Sequence, residues 1–217
     1  MHGTSVYFTQ WVTLIAVFSL AVISPGPDFI VAVRNSIVHS RRAGIMTALG
    51  FGLGVLVHVT YVVFGIAVVI AQSILVFNLI KVAGAAYLVY IGVKALRSQG
   101  MGAKVVDQAL AMESRAATMG DMAAIRSGFL TNVLNPKATL FFLAVFSQII
   151  SPSSPLAWKL VYGLTCFLLV TAWFSLVALV LNHGVVRNRF LGATKWLDRI
   201  CGVLLVALGV RIALTTR

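Results

Sequence analysis

Apolar residues run through this chain in long stretches with no charge. Residues 43–80, 138–158 and 160–186 contain no Lys, Arg, Asp or Glu. A transmembrane helix needs about 20 mainly apolar residues. The first of these stretches therefore holds one helix and much of the next. Read along the whole chain, the pattern predicts six spans: 8–37, 44–70, 77–96, 128–150, 158–182 and 198–215. The first is interrupted by Ser24-Pro25-Gly26-Pro27-Asp28. The short apolar–polar alternation of an outer-membrane barrel is missing. The expected fold class is an all-α integral membrane protein with six transmembrane helices.

The six spans divide into two halves of three, residues 1–97 and 127–217, joined by a polar loop at 98–126. The halves resemble each other. Lys81-x-x-Gly84 and Gly92-Val93-Lys94 in the third span are echoed by Arg199-x-x-Gly202 and Gly209-Val210-Arg211 in the sixth. Pro27-Asp28 in the first span corresponds to Pro136-Lys137 in the fourth. Three spans is an odd number, so the second copy must enter the membrane upside down. That is the inverted repeat of many secondary transporters. Each half then opens with a helix broken at proline.

Composition supports the membrane reading. The 217 residues are 60% hydrophobic and 10% charged, with a mean hydropathy of +1.00. A soluble domain carries about 25% charged residues, so the surface here must face lipid. The net charge of +12 suggests nucleic acid at first sight. The basic residues, however, sit between the apolar runs and form no patch interleaved with aromatics, so no nucleic-acid partner is expected. Twelve Lys and Arg, from Arg34 to Arg199, sort to one face of the membrane. Lys81, Lys159, Arg211 and Arg217 sort to the other, and Lys137 is left inside a span. The basic face is expected to be cytoplasmic and both termini periplasmic. The N-terminus has no basic n-region and no A-x-A site, so the first apolar segment is expected to remain as a helix.

Asp28 is read as the only acid within a span and Lys137 as the only base well inside one. A charge at bilayer depth costs at least about 2.5 kcal/mol and usually faces a partner or a water-filled cavity. Pro25 and Pro27 remove backbone donors and leave carbonyls free, with Gly26 between them. The half-helix starting near Asp28 presents N–H groups suited to a carboxylate. The alternative is that Asp28 and Lys137 are structural glue. Asn132 and Asn135, just before Pro136, could bind substrate or satisfy carbonyls that the proline frees. His58 could relay protons or join two helices. The glycines of Gly50-Phe51-Gly52-Leu53-Gly54 follow no strand, so close helix packing explains them better than a nucleotide loop. Tyr87, Tyr90, Trp173 and Gln148 are candidate cavity residues. Cys166 and Cys201 have no metal or redox spacing and read as packing residues. With no P-loop, HExxH or GxSxG, neither an enzyme nor an ATP-driven pump is indicated, and no cofactor or metal is expected.

Ser24-Pro25-Gly26-Pro27-Asp28, together with Gly128-Phe129-Leu130-Thr131-Asn132-Val133-Leu134-Asn135-Pro136-Lys137-Ala138 followed by Phe141, Phe142 and Phe146, resembles the two signatures of the LysE/RhtB amino-acid exporters, in particular the threonine/homoserine branch. The resemblance covers nearly the whole chain. It implies export of an amino acid or derivative across the bacterial cytoplasmic membrane, driven by protons, with Asp28, Lys137, Asn135 and Pro136 in the family's positions. Partners would be the substrate, protons and the lipid bilayer. Transporters with so few helices often dimerise, so a homodimer is also an expectation. Two other classes compete. A membrane thiol–disulfide electron carrier would need cysteines at matching positions, where Asp28 and Lys137 stand instead. A non-transporting scaffold would leave both proline breaks without a purpose.

Overall fold

The structure is a computed structural model that describes residues 2–98, 101–113, 118–149, 154–181 and 184–214. The described residues are helical with no strand. In chain order the helices are α1 (His2–Ile23), α2 (Pro27–Arg34), α3 (Arg41–Gln72), α4 (Ile74–Leu96), α5 (Met101–Glu113), α6 (Asp121–Val133), α7 (Pro136–Ile149), α8 (Leu156–Leu181) and α9 (Gly184–Leu214). A π-helical turn, Asn35–His39, extends α2. Ser40 then turns the chain into α3, with its hydroxyl accepting from the Ala43 N–H at 3.0 Å.

Three stretches among the described residues are long and apolar enough to cross a membrane: Ser5–Ile23, Arg41–Val63 and Leu156–Leu181. Asp121–Val133 and Pro136–Phe146 form a fourth if taken as one span bent by 56°. The expected span 77–96 lies within α4, and residues 198–214 of the last span lie within α9; residue 215 lies outside the described residues. The interruption in the motif falls between α1 and α2, at residues 24–26, and Pro27 opens α2.

Three boundaries differ from the sequence reading. The segment 98–126 carries α5, which packs on α2 and the π-helical turn and buries Val106 and Ala109. Helix α6 begins at Asp121 rather than 128, and α9 at Gly184 rather than 198. In the last two cases the added turns carry Arg126, or Arg187, Arg189 and Lys195. Hydropathy marks where a helix leaves lipid, while hydrogen bonding continues the helix into water.

The helices assemble around a few close contacts. Helix α3 packs against both α6 and α8, and α4 runs along α9. A Cβ on Gly50 or Gly128 would collide with the backbone of the facing helix, α6 or α3. A Cβ on Gly92 would lie 2.8 Å from the Gly202 carbonyl oxygen, and one on Gly202 would lie 2.7 Å from that of Gly92. Of the four glycines that link the third and sixth spans in sequence, Gly92 and Gly202 therefore face one another, while Gly84 faces Ala144 of α7 and Gly209 the Ala85 carbonyl. An aromatic cluster of Phe18, Phe141, Phe142 and Phe146 fills the centre. Phe18, Phe141 and Phe142 line one cavity with Ser24, Gly26 and Asn135 of the two proline breaks. At the N-terminal ends of α3 and α6, Arg42 donates three hydrogen bonds to Asp121, at 2.9, 3.2 and 2.6 Å; this exposed pair adds little stability.

Candidate functional site

The two proline breaks meet at the middle of the molecule. An α-helical carbonyl normally accepts from the N–H four residues later, and proline has no N–H to give. Pro25 thus frees the carbonyl of Ala21, and Pro136 frees that of Asn132. Each freed group is taken by a side chain from elsewhere in the chain. Lys137 Nζ donates to Ala21 O at 3.0 Å and to Ser24 O at 2.5 Å. His58 Nε2 lies 2.9 Å from Asn132 O. A carbonyl can only accept, so Nε2 carries a proton. His58 Nδ1 lies 2.9 Å from the Tyr61 hydroxyl, and its ring stacks on Phe142 at 5.5 Å.

Asp28 sits in the first turn of α2, behind Pro27. Its carboxylate accepts from Asn132 Nδ2 at 2.7 Å and from Asn135 Nδ2 at 2.9 Å. The two asparagines therefore bind the acid with their amides. Asn135 has a second role, because its Oδ1 accepts the Lys137 N–H at 2.9 Å and caps α7. Asn132 Oδ1 is buried without a partner. Gly54 of α3 makes room for this side chain: a Cβ there would lie 2.7 Å from Asn132 Oδ1.

Asp28 and Lys137 line one cavity without forming an ion pair. Each is hydrogen-bonded to neutral groups of the other broken helix, while the two charges act on one another across the cavity. The arrangement keeps an acid and a base at the same depth, each preorganised by hydrogen bonds that a low-dielectric site strengthens.

Two cavities meet at this point. The inner one lies over Phe18, Phe141, Phe142 and Phe174, takes in Asp28, Asn132 and Lys137, and has about 40 Å³ for water-sized molecules. That is room for water and little more. The outer one has about 280 Å³ and is lined by Pro25, Pro27, Tyr87, Tyr90, Lys94, Ser98, Lys137 and Asp198. Ser24, Gly26, Asn135 and Lys137 border both.

Other expectations fare differently. Tyr87 and Tyr90 line the outer cavity. Trp173 does not: it borders a separate groove between α1 and α8. The side chain of Gln148 lies outside the described residues. Cys166 and Cys201 are free and buried.

Asp198, which is 1% exposed on α9, is a second buried acid that the sequence reading did not single out. Lys81 is likewise buried rather than at a surface. The signal for Asp198 was present as a helical stripe. Asp198, Cys201, Leu205 and Ile212 recur at helix spacing and are all buried. The expected span begins at residue 198, so this acid stands at its very edge in the sequence. Asn35 was also missed. It is buried in the π-helical turn and donates to Thr47 Oγ1 at 3.0 Å and Ser127 Oγ at 3.2 Å.

Comparison with known proteins bears on what this site does. The profile of the family described as LysE type translocator matches residues 19–216. The threonine efflux protein of Escherichia coli (strain K12) is 29% identical over 94% of this chain and 98% of its own. The homoserine/homoserine lactone efflux protein of Salmonella typhimurium is 29% identical over 73% of each chain. The leucine efflux protein of Salmonella choleraesuis is 26% identical over 98% of this chain and 96% of its own. No solved structure matches.

Proposed function

Since the chain belongs to the LysE type translocator family, and is thus a membrane translocator rather than an enzyme, we propose that it exports a small amino acid from the bacterial cytoplasm in exchange for protons. The observation that carries this reading is the acid and base held apart at two facing proline breaks. Asp28 exchanges the proton. Asn132 and Asn135 hold its carboxylate in place in either protonation state, because an amide offers both donor and acceptor. Lys137 presents the positive charge that meets the substrate carboxylate. The substrate ammonium meets the acidic side of the site, and Lys137, which answers both to the substrate carboxylate and to the charge of Asp28, couples the two flows. The efflux relatives carry threonine, homoserine and its lactone, and leucine in their names. A small, uncharged side chain is the common denominator, so threonine- or homoserine-like substrates are proposed.

The architecture that goes with this reading is a six-span inverted repeat. Helices α1–α2, α3 and α4 form one copy, and α6–α7, α8 and α9 the other. Alternating access comes from rocking one copy against the other about the broken helices. Both termini face the periplasm and α5 faces the cytoplasm, following the charge asymmetry. The protein works as a homodimer in the inner membrane.

The test is transport by inside-out vesicles from cells that express the chain. Threonine, homoserine, leucine and lysine are supplied outside, with the proton gradient energised. Accumulation of a neutral amino acid that a protonophore abolishes supports the proposal. No accumulation of any of the four, in vesicles that contain the protein, contradicts it.

A further inference from the structure

Asp198 is unlike the other buried polar groups among the described residues. Both its carboxylate oxygens are buried and neither closes a hydrogen bond of ordinary geometry, although Ser98 approaches. A buried carboxylate left in this way costs several kcal/mol unless a proton or cation satisfies it. It lines the outer cavity, as does Lys137. Lys137 spends two of its three N–H donors on Ala21 O and Ser24 O, and the third remains. The cavity therefore presents an unsatisfied anion and an unsatisfied donor cation, in a volume of about 280 Å³. The inner cavity beside Asp28, at about 40 Å³, is too small for an amino acid in this conformation.

We propose that the outer cavity is the amino-acid subsite, with the substrate ammonium on Asp198 and its carboxylate on the remaining N–H of Lys137. This deepens the exporter reading and rests on it. The two acids then divide the work: Asp198 reads the substrate amine and Asp28 handles the proton. Lys137 borders both cavities and links the two events. Lys94 and Lys137 line the same space, so a cationic side chain is repelled and neutral α-amino acids are preferred.

Calorimetric titration of purified protein with L-threonine tests the assignment. Asp198→Asn should weaken binding roughly tenfold or more, the scale of one charge-assisted contact. Asp198→Glu should recover much of it. Asp107→Asn, on the exposed face of α5, is the control and should bind threonine as wild type does. A threonine analogue with hydroxyl in place of the amine should bind wild type and Asp198→Asn equally weakly. Threonine binding unchanged in Asp198→Asn, or lost equally in Asp107→Asn, overturns the assignment and leaves the exporter reading standing. If Asp198→Asn does not fold, the analogue decides: binding to wild type as tight as threonine overturns the assignment. Wild type that binds none of threonine, homoserine and leucine overturns both.

Discussion

At the level of single residues, the centre of this protein is an exchange of hydrogen bonds between two broken helices. Each proline frees a carbonyl, and a polar side chain from elsewhere in the chain takes it. His58 is the clearest case, since its Nε2 is the side-chain donor to the carbonyl that Pro136 releases. Replacing it with Phe leaves that carbonyl with the Asn135 N–H alone, at 3.0 Å, and loses one buried hydrogen bond, at a cost of about 0.5–1.5 kcal/mol. His58→Phe should therefore lower the thermal midpoint of the purified protein, and His58→Gln, which keeps a donor, should lower it less. Equal losses in both would mean that the ring's stacking on Phe142, not its hydrogen bond, is what matters. Much of this site was legible in the sequence. Pro27-Asp28 and Pro136-Lys137 announce themselves, because prolines and charges are rare in apolar runs. What sequence could not give was the pairing. Opposite charges at matching positions suggest an ion pair, yet the acid took amides and the base took carbonyls. Those partners depend on how the helices cross. Asp198 was missed for a different reason: an acid near a span's end resembles a boundary charge until its helix is known to continue past it.

At the level of elements, apolar runs located the helices and misplaced their ends. Hydropathy reports contact with lipid, so polar turns of α6 and α9 and the whole of α5 escaped it. The glycine pattern was more informative than its use as a repeat marker suggested, since Gly92 and Gly202 allow α4 and α9 to touch backbone to backbone. Gly92→Val should destabilise the protein by about 1–3 kcal/mol through overpacking. Gly65→Val is the matched control, because nothing lies within 4 Å of a Cβ there. Thermal denaturation of the two variants side by side checks this, and equal midpoints would remove the close contact from the account. The bend between α6 and α7 makes a second prediction. Pro136→Ala restores an N–H that can bond to Asn132 O within a continuous helix and so competes with His58. Transport should fall while thermal stability is kept or raised. Full transport with a restored helix would mean that the break serves no function.

At the level of the whole molecule, the account joins a membrane orientation to a proton-coupled cycle. The orientation follows from where Lys and Arg fall. It predicts that Asp107→Cys, on the exposed face of α5, reacts with an impermeant maleimide in inside-out vesicles and not in intact cells. Labelling in intact cells would invert the topology and with it the direction of export. The cycle depends on Asp28 more than on any other residue. Asn in its place keeps the size and the acceptor oxygen, and it suits the first turn of a helix. Insertion and folding should therefore survive the change. Asn cannot carry a proton, so the coupling should not. The most direct measurement is flux through purified Asp28→Asn in liposomes loaded with threonine or homoserine, under an imposed pH gradient. The account predicts no gradient-dependent flux at wild-type levels of folded protein. Gradient-driven flux equal to wild type would contradict it, leaving Asp28 as a structural group and the coupling site elsewhere.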